Sequence, residues 1–188
     1  EGKSTISAKL PRLMETLKGD SKYESATTNV EVLSFARMAY NVIKETIPGE
    51  QKRLEKSGKA MLIFEAISEH QKELNFLGKS LDNVQTIITQ ITELKKHNIT
   101  VKMLEEQVNN TQDKYLKAKL NDILILYKDL EEKIPVDFVD ENDLLTLLAE
   151  NIENSHLFDN AIFFLDEFAG FTKQEYAVIE RLNEIAKE

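Results

Sequence analysis

Residues 161–179, AIFFLDEFAGFTKQEYAVI, run from an unbroken apolar block into an acidic pair and then into a helix start. Ile162, Phe163, Phe164 and Leu165 favour extended backbone and lack polar alternation. That pattern predicts a strand covered on both faces and ending at Asp166-Glu167. Gly170 permits a turn. Thr172-Lys173-Gln174-Glu175 then has capping-box spacing, in which the threonine hydroxyl accepts from the amide of Glu175 while that carboxylate reaches back to the cap. Strand, acidic pair, turn and helix follow in that order, and the remaining chain has to supply the strand with company.

Toward the N-terminus, residues 29–33 (Asn29-Val30-Glu31-Val32-Leu33) predict a second short strand, with Ser34 capping a helix through Phe35, Met38, Ala39, Val42 and Ile43 that Ile47-Pro48-Gly49 stops. Between these two strand-to-helix steps the pattern is helical. Residues 59–73 are apolar on most sides through Ala60-Met61-Leu62-Ile63-Phe64, which predicts a helix central to the core. Leu81, Val84, Ile87, Ile88, Ile91 and Leu94 form one stripe at helical spacing. Asn98-Ile99-Thr100 ends that helix, and Thr100 caps a short successor with Val101, Leu104 and Val108. A long helix spans 113–133 until Pro135, and residues 140–143 read as a capping run for Leu144, Leu145, Leu147, Leu148 and Ile152. Ahead of all this, residues 18–28 read as a loop, and a helix is expected to start near Lys9 or Leu10, where Pro11 fits the first turn. The expected class is mainly α, with two short strands bracketing an inserted set of helices. Three parts follow: 1–50, a partial α/β domain; 51–154, a helical insertion; and 155–188, the return to the α/β domain.

Composition narrows the chemistry. The 188 residues are 41% hydrophobic and 30% charged, with a formal net charge of −9, which is ordinary for a folded domain and argues against a nucleic-acid-binding surface spread over the whole chain. The absence of cysteine removes disulfides, zinc-thiolate sites, iron–sulfur ligation and thiol catalysis from this chain. No apolar run approaches the roughly 18 residues that span a bilayer, and the first residues lack the apolar core of a signal peptide. A cytoplasmic location is expected, and a start without methionine suggests a piece of a longer protein.

Among chemistry-bearing residues, Asp166 and Glu167 stand where nucleotide-driven motors place the aspartate that holds magnesium and the glutamate that orients the attacking water. Gly2-Lys3-Ser4-Thr5 matches only the end of a phosphate-binding loop, G-x-x-x-x-G-K-[ST], without its first glycine or its strand. Tight ATP binding by this chain alone is therefore not expected, nor is catalysis. His70, His97 and His156 have no metal-ligand partners at helical spacing. Asp140-Glu141-Asn142-Asp143 lacks the glycine and terminal glutamate of a calcium loop. Lys95, Lys96, Lys114, Lys117 and Lys119 are the local basic groups. They read either as solvated helix faces or as contacts to a DNA backbone.

Two stretches together carry a family resemblance. NVEVLSFARMAYNVI is similar to the strand-then-helix segment leading out of the first motor domain of superfamily 1A DNA helicases, and FFLDEFAGFTKQEYAVIERL is similar to their Walker B segment. More closely, EVLSFARMAY, SGKAMLIF, DLLTLLAENI, FDNAIFFLDEFAGFT and QEYAVIERL resemble the AddB subunits of bacterial AddAB-type ATP-dependent helicase/nucleases, from about residue 29 to 182. The resemblance implies a P-loop NTPase-like flank, processing of double-stranded DNA ends for recombinational repair, and an AddA-like helicase/nuclease partner. It also implies single- and double-stranded DNA as ligands of the intact complex, no membrane, and Mg, ATP and an iron–sulfur cluster in the parent protein. Asp166 and Glu167 match the Walker B positions, with a magnesium or nucleotide role in the intact parent only. Ala169 stands where active helicases carry glutamine, and Lys173 where AddB-like sequences commonly carry proline. The family's cysteine ligands and nuclease carboxylates have no counterpart here. The expected role is therefore a DNA-channel and partner-binding scaffold without chemistry of its own. The competing readings are a stand-alone helical protein-interaction domain with no nucleic-acid role, and an active NTPase, which would need a complete phosphate-binding loop.

Overall fold

A computed structural model describes residues 31–77, 83–159, 161–166 and 169–186. The chain divides into units of residues 1–34 and 35–188. Of the first unit the described residues 31–34 lie in no helix or ladder. The expected helix near Lys9, the loop at 18–28, Asn29, Val30, the Gly2–Thr5 motif and Glu167 lie outside the described residues.

The second unit is mainly helical, with seven α-helices and two short parallel strands among the described residues. Helix α1 (Phe35–Thr46) begins directly after Ser34 and buries Met38, Ala39, Val42 and Ile43. Gly49, at φ 88°, turns the chain away after it, in a region that a side chain would strain. Strand β1 (Lys52–Leu54) leads into α2 (Lys56–Glu69). Helices α3 (Val84–Lys96), α4 (Val101–Asn110) and α5 (Lys114–Lys133) follow. Strand β2 (Phe138–Asp140) precedes α6 (Leu144–Asn151), which runs into a 3-10 turn (Ile152–Asn154), and α7 (Lys173–Ile185) closes the set.

Helical period decides what is buried. On α2–α5, Ile63, Ala66, Ile67, Ile87, Ile91, Leu104, Leu126, Tyr127 and Leu130 meet in one core that Leu74 also enters from the loop after α2. Burying a side chain of this size stabilises by about 1.5–3 kcal/mol, and these faces drive the helices together. The remaining helices pack as α1 on α6 and α6 on α7, through Leu144, Leu148, Ile152, Val178 and Leu182.

Helix ends follow the local code where it is strictly local. The Thr100 hydroxyl accepts from Met103 N at 3.3 Å, and the Asp113 carboxylate from Leu116 N at 2.8 Å. At the end of α3, Asn98 adopts φ 55°. Asn98 N donates to Lys95 O at 2.8 Å and Ile99 N to Leu94 O at 2.9 Å, the Schellman closure.

Three expectations are corrected. The strands lie at 52–54 and 138–140, paired Lys52↔Phe138, Arg53↔Val139 and Leu54↔Asp140, whereas residues 31–33 and 162–165 join no ladder among the described residues. Apolar composition marks a segment that could be a strand, but only a neighbour with matching N–H and C=O groups makes it one. Asp140 ends β2 rather than starting a capping run, and Asp143 stands at the start of α6 without a side-chain capping bond. On α2, Met61 is 72% exposed and Phe64 is also exposed, so only the Ile63, Ala66 and Ile67 face is core.

Candidate functional site

The basic residues separate into two kinds. Lys95, near the end of α3, is 4% exposed. Its ammonium lies 2.7 Å from Glu131, 2.7 Å from Asp143 and 3.2 Å from Asp140, and 5.8 Å from the centre of the Tyr127 ring. Asp140 is itself buried and accepts from Lys59 at 2.5 Å and from Asn142 N at 3.1 Å. Burial opposes the charge on Lys95, but Asp143, Asp140 and Glu131 outweigh it and raise the pKa above the usual lysine value. Burial likewise opposes the charge on Asp140, and Lys95 and Lys59 overcome it, holding the carboxyl below its usual range. For Asp143 burial wins over Lys95 and pushes the carboxyl up to about 6.

Lys95, Glu131 and Asp143 of this cluster line a groove of about 760 Å³ between the α3–α4 corner, α5, α6 and α7, which Tyr127, Thr146, Gln174 and Arg181 also line. Gln174 is anchored there by donating to Asn142 O at 2.8 Å and Thr146 Oγ1 at 3.1 Å. A lysine already held by three carboxylates is a structural cation, and Lys95 faces them instead of solvent.

Lys96, one residue on, is exposed and pairs with Glu93 at 2.8 Å. Lys114, Lys117 and Lys119 are exposed on the first turns of α5. Lys119 sits over the Tyr115 ring, 4.5 Å from its centre. The structure thus brings Lys114, Lys117 and Lys119 onto one stretch of α5 and places Lys95 in a separate, buried setting.

Asp166 is exposed in backbone that forms no ladder. Phe164, two residues earlier, is 66% exposed. Four cysteine thiolates are the usual holders of an iron–sulfur cluster, and a chain with no cysteine does not fit that group.

A second cluster has no counterpart in the sequence pattern. His70 Nδ1 lies 3.2 Å from Glu73, and His70 Nε2 lies 3.2 Å from Asp129. Glu69, His70 and Asp129 have ligand atoms within 4.8 Å of one another. The Lys133 ammonium occupies the same place, 2.5 Å from Glu69 and 3.2 Å from Asp129 Oδ2, and supplies the positive charge that a metal ion would bring. Lys59–Asp140, His70–Asp129 and Lys95–Asp140 join residues 81, 59 and 45 positions apart, separations at which no periodic signal reaches from one partner to the other.

Comparison of the sequence with known proteins places the chain in a family. The profile described as "ADDB, N-terminal" matches residues 14–188. The B-type subunit of the ATP-dependent helicase/deoxyribonuclease of Clostridium novyi (strain NT) is 37% identical over 177 residues, covering 93% of this chain and 15% of that protein. Its counterpart in Clostridium tetani (strain Massachusetts / E88) is 38% identical over 165 residues, covering 85% of this chain and 14% of its own length. That of Clostridium botulinum (strain Hall / ATCC 3502 / NCTC 13319 / Type A) is 35% identical over 162 residues, with the same coverage. The chain spans about 15% of the length of these curated relatives. With the profile matched from residue 14 to residue 188, the chain belongs to the AddB N-terminal family.

Proposed function

We infer that this chain is the scaffold portion of an AddB-type helicase/deoxyribonuclease protein that processes DNA double-strand ends for recombinational repair, shaping the DNA channel and the contact with an AddA-like partner. The family match over residues 14–188 carries the reading. In it, residues 51–154 form the helical insertion, and residues 1–50 and 155–188 belong to the motor-like flanks. Exposed Lys96, Lys114, Lys117 and Lys119 are the candidate phosphate contacts. Lys95 is the fifth, and its burial among carboxylates makes it the weakest. Asp166 and Glu167 retain a magnesium or nucleotide role only within the intact AddB-type protein. ATP and any iron–sulfur cluster would be held by other parts of that protein, and the location would be the cytoplasm.

The test uses the intact AddB-type protein in complex with its AddA-like partner. Changing Lys96, Lys114, Lys117 and Lys119 together to Glu should weaken DNA-end binding and flatten its salt dependence, by a slope of about 0.7–0.9 for each phosphate no longer neutralised. Assembly with the AddA-like partner should persist. An unchanged salt slope in an assembled complex would overturn the channel role and favour a helical interaction domain without a nucleic-acid task.

A further inference from the structure

The corner where the loop after α2 meets the start of α5 has a construction that the scaffold role alone does not require. Phe76 and Tyr115 meet edge to face, with ring centres 4.9 Å apart and planes at 74°. Tyr115 nonetheless leaves 59% of its surface exposed. Lys119 Nζ lies over both rings, 4.5 Å from the centre of Tyr115 and 5.9 Å from that of Phe76.

The loop is pinned from beneath. Asp122 is fully buried, and its carboxylate accepts from Asn75 N at 2.9 Å, Phe76 N at 2.7 Å and Leu77 N at 3.1 Å. Tyr115, Lys119 and Asp122 follow at i, i+4 and i+7, so one helix face carries the ring, the cation and the anchor. The platform is therefore held in place before any ligand arrives.

Its surroundings are positive in a chain of net charge −9. Lys114 and Lys117 are exposed on the first turn of α5, and neither forms an ion pair among the described residues; Lys114 adjoins Tyr115, whereas Lys117, two positions on, lies on the opposite side of the helix. The two acids nearest in sequence on α5 are engaged: Asp113 caps the helix and Asp122 is consumed by the loop amides. The first turn of α5 holds no acidic residue, although the helix dipole favours acids there and disfavours lysine. Lys114, in the first turn against that preference, and Lys119, over the exposed ring, point to an anionic ligand with flat faces.

We propose that Phe76, Tyr115 and Lys119, with Lys114 at the edge, form a stacking platform for single-stranded DNA. Bases offer their faces only when unpaired, and exposed aromatic rings beside lysines bind them without sequence preference. An incoming base takes the Tyr115 face that Lys119 now covers, and the released ammonium meets a backbone phosphate. The choice of DNA over RNA rests on the AddB-type reading; the single-strand preference rests on the rings.

The test is fluorescence anisotropy of the full chain with labelled oligothymidylate of about 15 nucleotides, within the site sizes usual for such grooves. Tyr115→Ala should weaken binding about 5- to 10-fold, as expected for loss of one stacked base, with the salt slope unchanged. Tyr115→Phe should bind as the parent does, and as an exposed, shape-conserving change it also controls for folding. Lys114→Glu should instead reduce the salt slope. A duplex of equal length should bind more weakly and ignore Tyr115→Ala. The platform is overturned if oligothymidylate fails to bind, if Tyr115→Ala changes nothing, or if the duplex loses as much. Preference for oligouridylate, or displacement by polyglutamate at equal charge, would likewise overturn it in favour of RNA or an acidic protein. If Tyr115→Ala changes nothing while the intact complex keeps its salt-dependent end binding, the platform fails alone; an unchanged salt slope in that complex, with oligothymidylate stacking intact, overturns the channel role alone.

Discussion

His70 shows how one side chain couples two elements and becomes sensitive to pH. It is the residue after α2, and its ring bridges Glu73 in the following turn and Asp129 on α5. Burial opposes the imidazolium, but Glu73 and Asp129 outweigh it and raise the pKa above the ordinary 6.5. A folded-state pKa above the unfolded one means that the stabilisation is fully present below 6.5 and is lost as pH rises through the higher folded value. The thermal midpoint should accordingly fall as pH is raised above 6.5, and His70→Gln should flatten that step. A midpoint with equal slope in both proteins would assign the pH dependence to other groups. Sequence spacing leaves His70 without a role because Asp129 is 59 positions away.

At the level of elements, helix ends are the most legible features. Thr172 accepts from Glu175 N at 3.2 Å, while Glu175 Oε2 accepts from Thr172 N at 2.7 Å, the reciprocal pair that T-x-x-E spacing predicts. Thr172→Ala should cost about 1 kcal/mol in urea denaturation, and Thr172→Ser a fraction of that. Equal stability of the alanine variant would mean that α7 is held by Val178 and Leu182 alone. Both cap partners lie within one turn, so backbone geometry brings them together whatever the tertiary fold. The same holds for Thr100 on α4 and Asp113 on α5. Strands behave oppositely. Residues 162–165 are more apolar than Lys52–Leu54, yet the latter pair, because Lys52 N reaches Asp137 O at 2.7 Å and the exposed flank adds Lys52–Asp137 and Arg53–Glu141 ion pairs.

Over the whole molecule, the Lys95 cluster ties the α2–α5 core to the rest of the second unit. Lys59 from α2 and Lys95 from α3 meet at Asp140 at the end of β2, and Lys95 also holds Asp143 at the start of α6 and Glu131 on α5. Removing one partner strands the others in a poorly solvated site. Lys95→Met should therefore cost about 3–5 kcal/mol, read as a lower urea midpoint. A loss below about 1 kcal/mol would place Lys95 among ordinary surface pairs. Adding Asp143→Asn should recover part of the loss, since Asp143 loses its Lys95 partner while Asp140 keeps Lys59.

The helical class, the ends of α4, α5 and α7, and membership of the AddB family are legible in the residues themselves, because caps, apolar periods and family motifs are written in neighbouring positions. Packing settles which segments become strands, that Lys95 faces three carboxylates while Lys114 and Lys117 face solvent, and that Phe76 meets Tyr115. Each of those outcomes depends on groups tens of residues apart, brought together by burial of the helix faces, and the free energy that sets them is that of the packed whole.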